Sequence, residues 1–135
     1  MKRAVFDTNV WISGMVFGGE VQKVLLTAIE GRVLSITSVE LLQELEAVLK
    51  SRKFNYPPEA ISTILYEVQT LTLMVHPKAK LNVIKSDPPD NRVLECAVAG
   101  KADWIVSGDS DLLELGKYRK IKIYSPRDYL DFLNE

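Results

Sequence analysis

Three aspartates stand where a carboxylate can be held rigidly and still meet a ligand. Asp7 directly follows the apolar run Ala4-Val5-Phe6, and Asp109 closes the turn Ser107-Gly108-Asp109 behind a second run, Trp104-Ile105-Val106. Asp90 ends the segment Asp87-Pro88-Pro89-Asp90 at the start of a helical pattern, where backbone N–H groups and the helix dipole favour an anion. Carboxylates brought together repel by roughly 4 kcal/mol per pair at 4 Å with an effective dielectric near 20. A fold tolerates that when a cation or a raised pKa offsets it. Hard divalent ions that take oxygen ligands, such as Mg²⁺, are the natural match. His76 and Cys96 are the only histidine and cysteine, so no zinc-type ligand set competes. Singly, each aspartate also has a structural reading: Asp90 and Asp109 as helix N-caps, worth about 1 kcal/mol each.

The elements that must position these groups are short apolar runs alternating with amphipathic stretches. Ala4–Phe6 is the first expected strand, followed by a loop with Gly14, Gly18 and Gly19. Val21–Glu30 carries Val21, Val24, Leu25, Ala28 and Ile29 at helical spacing, and Gly31 stops it. Val33–Ile36 is a second strand. Ser38 is an expected N-cap before Leu41, Leu42, Leu45, Val48 and Leu49. Pro57-Pro58 opens a further helix, since proline's missing N–H costs nothing in a first turn. Leu73–Val75 is a third strand, and residues 77–90 form a long connection. Asn91–Ala99 is a helix ended by Gly100, Trp104–Val106 a fourth strand and Ile121–Tyr124 a fifth. Pro126 starts a closing helix.

This alternation predicts an α/β fold with a parallel sheet of about five strands covered on both faces. Ligands of such sheets sit beyond the strand carboxyl ends, where strand order reverses. Asp7 and Asp109 therefore project from one sheet edge. The 135 residues suit one domain spanning 1–135, large enough to bury a core unaided. A net charge of −1 means that a nucleic-acid partner must be met by a local basic patch and not by the whole surface. One cysteine excludes an internal disulfide, and Asp7 comes too early for a signal-peptide core. No apolar run reaches the ~20 residues of a membrane span. The expectation is a cytoplasmic protein with no membrane association.

Four segments carry a family resemblance. Val5-Phe6-Asp7-Thr8-Asn9-Val10-Trp11 resembles the opening strand and turn of PIN domains, and residues 38–49, with Glu44, resemble the helix bearing that family's second acid. Asp87-Pro88-Pro89-Asp90-Asn91-Arg92-Val93-Leu94-Glu95 and Val106-Ser107-Gly108-Asp109-Ser110-Asp111-Leu112-Leu113 resemble its third and fourth motifs. They occur in family order over nearly the whole chain. The resemblance is to bacterial and archaeal members classed as VapC-like toxins of type II toxin–antitoxin pairs. It implies a three-layer α/β/α, Rossmann-like fold and an endoribonuclease dependent on Mg²⁺ or Mn²⁺ that leaves a 3′-hydroxyl. It implies Asp7, Glu44, Asp90 and Asp109 as the catalytic acids. Asp7, Asp90 and Asp109 would be metal ligands, and Glu44 would orient the attacking water. Asp111 would be a fifth acid, Thr8 and Ser107 would hydrogen-bond inside the site, and Asn9 would brace the first loop. Partners implied are RNA, a small antitoxin covering or entering the acid pocket, and a second copy in a homodimer.

Residue spacing alone does not choose Glu44. It flanks the apolar arc about 40° from Val48, while Glu46 flanks the other side about 40° from Leu42. Glu95 reads as a helix-surface charge, with a site role as its alternative. Lys50, Arg52 and Lys53 form one basic cluster and Lys117, Arg119, Lys120 and Lys122 another; each is a solvated face unless it borders the acids and contacts phosphate. Trp11 and Tyr56 are stacking platforms for bases or packing residues. His76 reads as structural and Cys96 as a small core residue. Two rivals to the nuclease are an inert PIN-like binding module, which has no reason to keep mutually repelling acids, and a phosphotransfer domain with Asp7 as nucleophile. Asn9 stands where the latter chemistry wants a second aspartate.

Overall fold

The computed structural model describes residues 1–134. Its strands are β1 (Arg3–Phe6), β2 (Leu34–Ser38), β3 (Thr72–Val75), β4 (Trp104–Val106), β5 (Lys117–Tyr118) and β6 (Ile121–Tyr124). Its helices are α1 (Thr8–Ile12), α2 (Gly19–Ile29), α3 (Val39–Lys50), α4 (Pro58–Leu71), α5 (Asn91–Ala99), α6 (Ser110–Leu115) and α7 (Pro126–Leu133). One sheet runs in the order β3-β2-β1-β4-β6-β5. Its first five members are parallel, and β5 pairs antiparallel with β6.

Alternation along each strand assigns the two faces. Ala4, Phe6, Trp104 and Val106 join one core with Leu45, Leu49, Val68 and Tyr129. Val5, Ile36 and Ile105 join the other with Leu94, Ala97 and Leu112. The first core is built on aromatic edges: Phe6 lies 5.6 Å from Trp11 and 6.0 Å from Tyr129, ring centre to ring centre. The Tyr129 hydroxyl is buried but shares a 2.7 Å hydrogen bond with Thr27 Oγ1, which offsets its desolvation.

Strand order decides where chemistry can sit. From β1 the chain winds through β2 to β3 on one side, then returns to β4 and β6 on the other. The reversal lies between β1 and β4, where the Asp7 amide donates to the Val106 carbonyl at 2.9 Å. Asp7 and the Ser107–Asp109 turn therefore leave the sheet side by side.

Three elements differ from the sequence expectation. The glycine-containing stretch after β1 is not a loop: Thr8–Ile12 is helical and continues into a π-helical turn, Ser13–Phe17. Gly14 sits there for close packing, because a Cβ would stand 2.5 Å from Leu25 Cδ1. The turn ends at Gly18, whose φ of 72° disfavours any side chain. A short helix, α6, follows Asp109. The sheet has six strands, not about five, and is mixed: two-residue β5 is too short to show any period in the sequence.

Candidate active site

Asp7 is fixed by its neighbours. Its Oδ1 accepts the Thr8 amide at 2.7 Å, and its Oδ2 accepts the Ser107 hydroxyl at 2.6 Å and the Asn9 side-chain amide at 3.2 Å. Asn9 Oδ1 in turn accepts the Gly108 amide at 3.1 Å, so one side chain ties the β1 turn to the β4 turn. Ser107 Oγ also accepts the Asp109 amide at 2.9 Å. Asp109 caps α6, with Oδ1 receiving the amides of Asp111 and Leu112 at 2.8 and 3.4 Å. Its structural and chemical readings therefore coexist.

Asp90 behaves otherwise. It precedes α5 but makes no side-chain capping bond, so the cap reading fails for it. It is 6% exposed, and its buried Oδ2 has no hydrogen-bond partner among the described residues. Such an atom costs roughly 1–3 kcal/mol unless a ligand satisfies it. Thr8 Oγ1 is also buried and unpartnered.

These groups share a cleft of about 230 Å³ lined by Asp7, Thr8, Asn9, Glu44, Asp87, Asp90 and Asp109 with Ile12, Val48 and Pro89. α3 contributes Glu44 because Ser38, at the carboxyl end of β2, caps the helix there, accepting the Leu41 amide at 3.3 Å. Glu46 points away and pairs with Lys50 at 3.3 Å. The tertiary structure thus separates the two glutamates that periodicity left equivalent.

The acids carry the electrostatic mark of their crowding. Burial pushes the Asp7 carboxyl above its ordinary value, with Asp109 adding to the effect. Burial and the nearby Asp7 charge raise Glu44 to about 7. Burial and the adjacent Asp109 raise Asp90 to about 8. Among the described residues no lysine or arginine lines the cleft, and Asp7, Glu44, Asp87, Asp90, Asp109 and Asp111 make no ion pair. One oxygen each from Asp87, Asp90, Asp109 and Asp111 lie within 4.8 Å of one another, a spacing that a cation can bridge. All-oxygen, all-carboxylate donors suit a hard divalent cation.

The structure thus gathers the predicted Asp7, Thr8, Asn9, Glu44, Asp90, Ser107 and Asp109 at one place, with Asp111 beside them. Asp87 was not singled out as an acid of the site. Its signal lay in the two prolines after it. They lack the N–H groups that an N-capping aspartate would bind, which leaves its carboxylate with no local partner.

Several other readings are corrected or decided. Glu95 is buried, and accepts the Leu81 amide and the Arg92 guanidinium, both at 2.8 Å, so it fastens the long connection to α5. Lys117, Arg119, Lys120 and Lys122 lie at the amino edge of the sheet, since Lys122 pairs with Trp104, the first residue of β4. They cannot border the acids. Lys50, Arg52 and Lys53 begin six residues, about 9 Å of helix, beyond Glu44. Trp11 and Tyr56 line a different, apolar cavity of about 430 Å³ between α2 and α4 and do not face the acid cleft. Cys96 is fully buried, and burial lifts its thiol to about 12.

Comparisons with known proteins bear on the family and the fold. The sequence profile of a family described as the PIN domain matches residues 3–111, a span holding every acid named above. No curated protein matches the chain. Among solved structures, the chain is similar to the crystal structure of VapBC2 from Rickettsia felis bound to a DNA fragment from their promoter. That likeness has a TM-score of 0.64 and 16% identity, and covers 91% of this chain and 98% of that one. At that identity it establishes the shared fold.

Proposed function

We propose that this chain, which belongs to the PIN-domain family, is an endoribonuclease that hydrolyses RNA phosphodiester bonds with Mg²⁺ or Mn²⁺. The observation that carries the reading is the buried Asp90 oxygen, unpartnered among the described residues, in a cleft of carboxylates that no described lysine or arginine lines. A purely structural cluster would spend its oxygens on caps or ion pairs.

Asp7, Asp90 and Asp109 are the residues we assign to hold the ion. When bound, it supplies neutralisation of phosphate charge and acidification of a water. The chain's own contributions are positional. Ser107 and Asn9 lock the Asp7 carboxylate, which costs no reorganisation when substrate arrives. Glu44, across the cleft, accepts the proton of the attacking water. Burial and the neighbouring Asp7 charge make it a stronger base than an exposed carboxylate. Thr8 Oγ1 lies beside Glu44 and is placed to donate to that carboxylate or to a phosphate oxygen. Attack at phosphorus on the face opposite the leaving O3′ breaks the P–O3′ bond; the departing oxygen takes a proton from solvent, and the products are a 3′-hydroxyl and a 5′-phosphate.

The biological role we propose is the toxin of a toxin–antitoxin pair, acting as a homodimer in the cytoplasm. The similar Rickettsia felis structure is of a VapBC2 pair, and among the described residues no single helix is long and apolar enough to cross a membrane.

The test is cleavage of a labelled RNA by purified protein with Mn²⁺, with EDTA, and with Asp7→Asn. Cleavage with Mn²⁺ that both EDTA and the substitution abolish is expected. Metal-independent cleavage, or full activity in the variant, would overturn the mechanism.

A further inference from the structure

We infer that the connection of residues 76–86 is a track for the phosphate backbone of the RNA, with Lys78, Lys80 and Lys85 as its cations and the acid cleft at its end. The inference rests on the ribonuclease reading above and names the surface that holds that substrate.

The charge of this segment is one-sided. No acid stands between Glu67 and Asp87, in a chain whose net charge is −1. Lys78, Lys80 and Lys85 are exposed, and none makes an ion pair among the described residues. Other cations are engaged or lie elsewhere. Lys2 pairs with Asp103 and Lys50 with Glu46, Lys53 lies over the Phe54 ring, and the β5 cluster is at the opposite edge of the sheet.

The path of the segment leads to the site. His76 and Lys78 line a groove against Val98 and Ala99, in the last turn of α5. The Leu81 amide meets Glu95 near the middle of that helix, and the amides of Val83 and Ile84 meet Asn91 at its start. The chain therefore climbs about 12 Å along α5 at 1.5 Å per helical residue. Lys85 and Ser86 then line a groove with Asp111, and Asp87 lines the acid cleft itself.

Independent of the charge is the way the segment is held. A merely solvated run of lysines needs no fixed backbone. Here Asn91, 1% exposed, commits its whole side-chain amide to the connection. Its Oδ1 accepts the Val83 and Ile84 amides, both at 2.9 Å, and its Nδ2 donates to the Ile84 and Pro88 carbonyls at 2.7 and 2.9 Å. Glu95 adds the 2.8 Å bond from the Leu81 amide. Leu81 and Ile84 pack into the core that holds Leu94. The anchors fall between the lysines, so the backbone is fixed while the ammonium groups stay in water. A surface ordered in advance loses little freedom when it binds. Lysines grip phosphate as point charges and read no base, which suits a contact that positions a strand of any sequence. The acids repel the polyanion they are to cut, and cations beside them offset that repulsion.

The test is binding of a labelled single-stranded RNA to the full chain in EDTA, by fluorescence anisotropy, from about 50 to 200 mM salt. Each phosphate contact on a single strand adds about 0.7 to the log–log salt slope. Lys78→Gln, Lys80→Gln and Lys85→Gln together should therefore flatten the slope by about 2, so that wild type loses about twentyfold more affinity than the variant over that range. Glutamine at Lys117, Arg119 and Lys120 should leave the slope as in wild type. Thermal melts identify any variant that fails to fold. A second readout needs no variant: bound RNA should protect Lys78, Lys80 and Lys85 from acetylation and leave Lys117 and Lys120 reactive. An unchanged slope in the folded triple variant, equal reactivity of the three lysines with RNA bound, or no binding in EDTA by a wild type that cleaves with Mn²⁺ would overturn the inference. Each would leave these lysines to a protein partner or to solvent, and the proposed function would stand. RNA bound with the expected slopes but not cleaved with Mn²⁺ would overturn the ribonuclease and keep the track. Wild type that neither binds nor cleaves RNA would overturn both.

Discussion

At the amino edge of the sheet, charge is spent on structure. Asp103 accepts the Arg3 amide at 2.9 Å and faces Lys2 at 3.7 Å, while the Arg3 guanidinium donates to the Gly100 carbonyl at 3.1 Å. The lysines and arginine around β5 are exposed to water, and Arg119 lies over the Tyr118 ring. At the carboxyl edge of the same strands, six acids gather with no basic partner. One buried carboxylate oxygen, Asp90 Oδ2, has no hydrogen-bond partner among the described residues, and burial and crowding push two carboxyls well above their ordinary range. Both edges are rich in charge, so charge density does not distinguish them. What distinguishes them is whether the charge is already satisfied. An edge that satisfies itself contributes to stability; an edge that remains unsatisfied is poised for a ligand.

The sharpest way to break this contrast is to neutralise one acid on each edge. Asp90→Asn should lower RNA cleavage by about a thousandfold or more, or about 4 kcal/mol of barrier. Asp103→Asn should leave cleavage within about twofold. Equal losses in a steady-state assay would erase the distinction.

Next in size is the effect of pH on the metal-free protein. Glu44 and Asp90 have folded-state values of about 7 and about 8 against ordinary values of 4.5 and 3.8. A carboxyl raised in the fold stabilises it while protonated. That contribution is fully present below about pH 4 and is lost as pH rises through 7 to 8. Melting temperature in EDTA should therefore fall by several degrees between pH 5 and pH 8. Added Mn²⁺ should restore it at pH 8 by binding the ionised cluster. A flat profile in EDTA would show that the acids are not crowded in solution.

A smaller effect is expected at Ser107. Ser107→Ala removes the 2.6 Å hydrogen bond to Asp7 and should cost about ten- to a hundredfold in activity. Ser107→Thr keeps the hydroxyl and should restore most of it. The smallest effect belongs to the far edge. Charge reversal at Lys117, Arg119 and Lys120 together should leave the salt dependence of RNA binding unchanged, because these side chains lie at the opposite sheet edge from the acids. A shallower slope in that variant would mean that RNA reaches around the molecule.

Much of this contrast was legible before the fold was known. Apolar runs three residues long, each followed by a polar residue, placed Asp7 and the Ser107–Asp109 turn at strand ends, because a parallel sheet buries its strands on both faces. Helix α5 and strand β4 were readable to the residue from their capping glycine and apolar run. Gly14 misled: glycine required for a close approach to Leu25 has the same letter as glycine required for a loop. β5 escaped because two residues carry no period. Glu44 could not be separated from Glu46 by angle, since both flank the apolar arc symmetrically.

The sequence by itself determined the acids, the elements that carry them and the edge from which Asp7 and Asp109 project, because side-chain chemistry and hydrophobic period are local properties. Only the tertiary structure decided which charges face one another. It turned Glu44 inward and Glu46 toward Lys50, sent the β5 cluster to the opposite edge, buried Glu95 against Arg92, and brought Asp87 and Asp111 to Asp90. Those outcomes depend on distances between residues far apart in the chain, and such distances are set by how the layers pack.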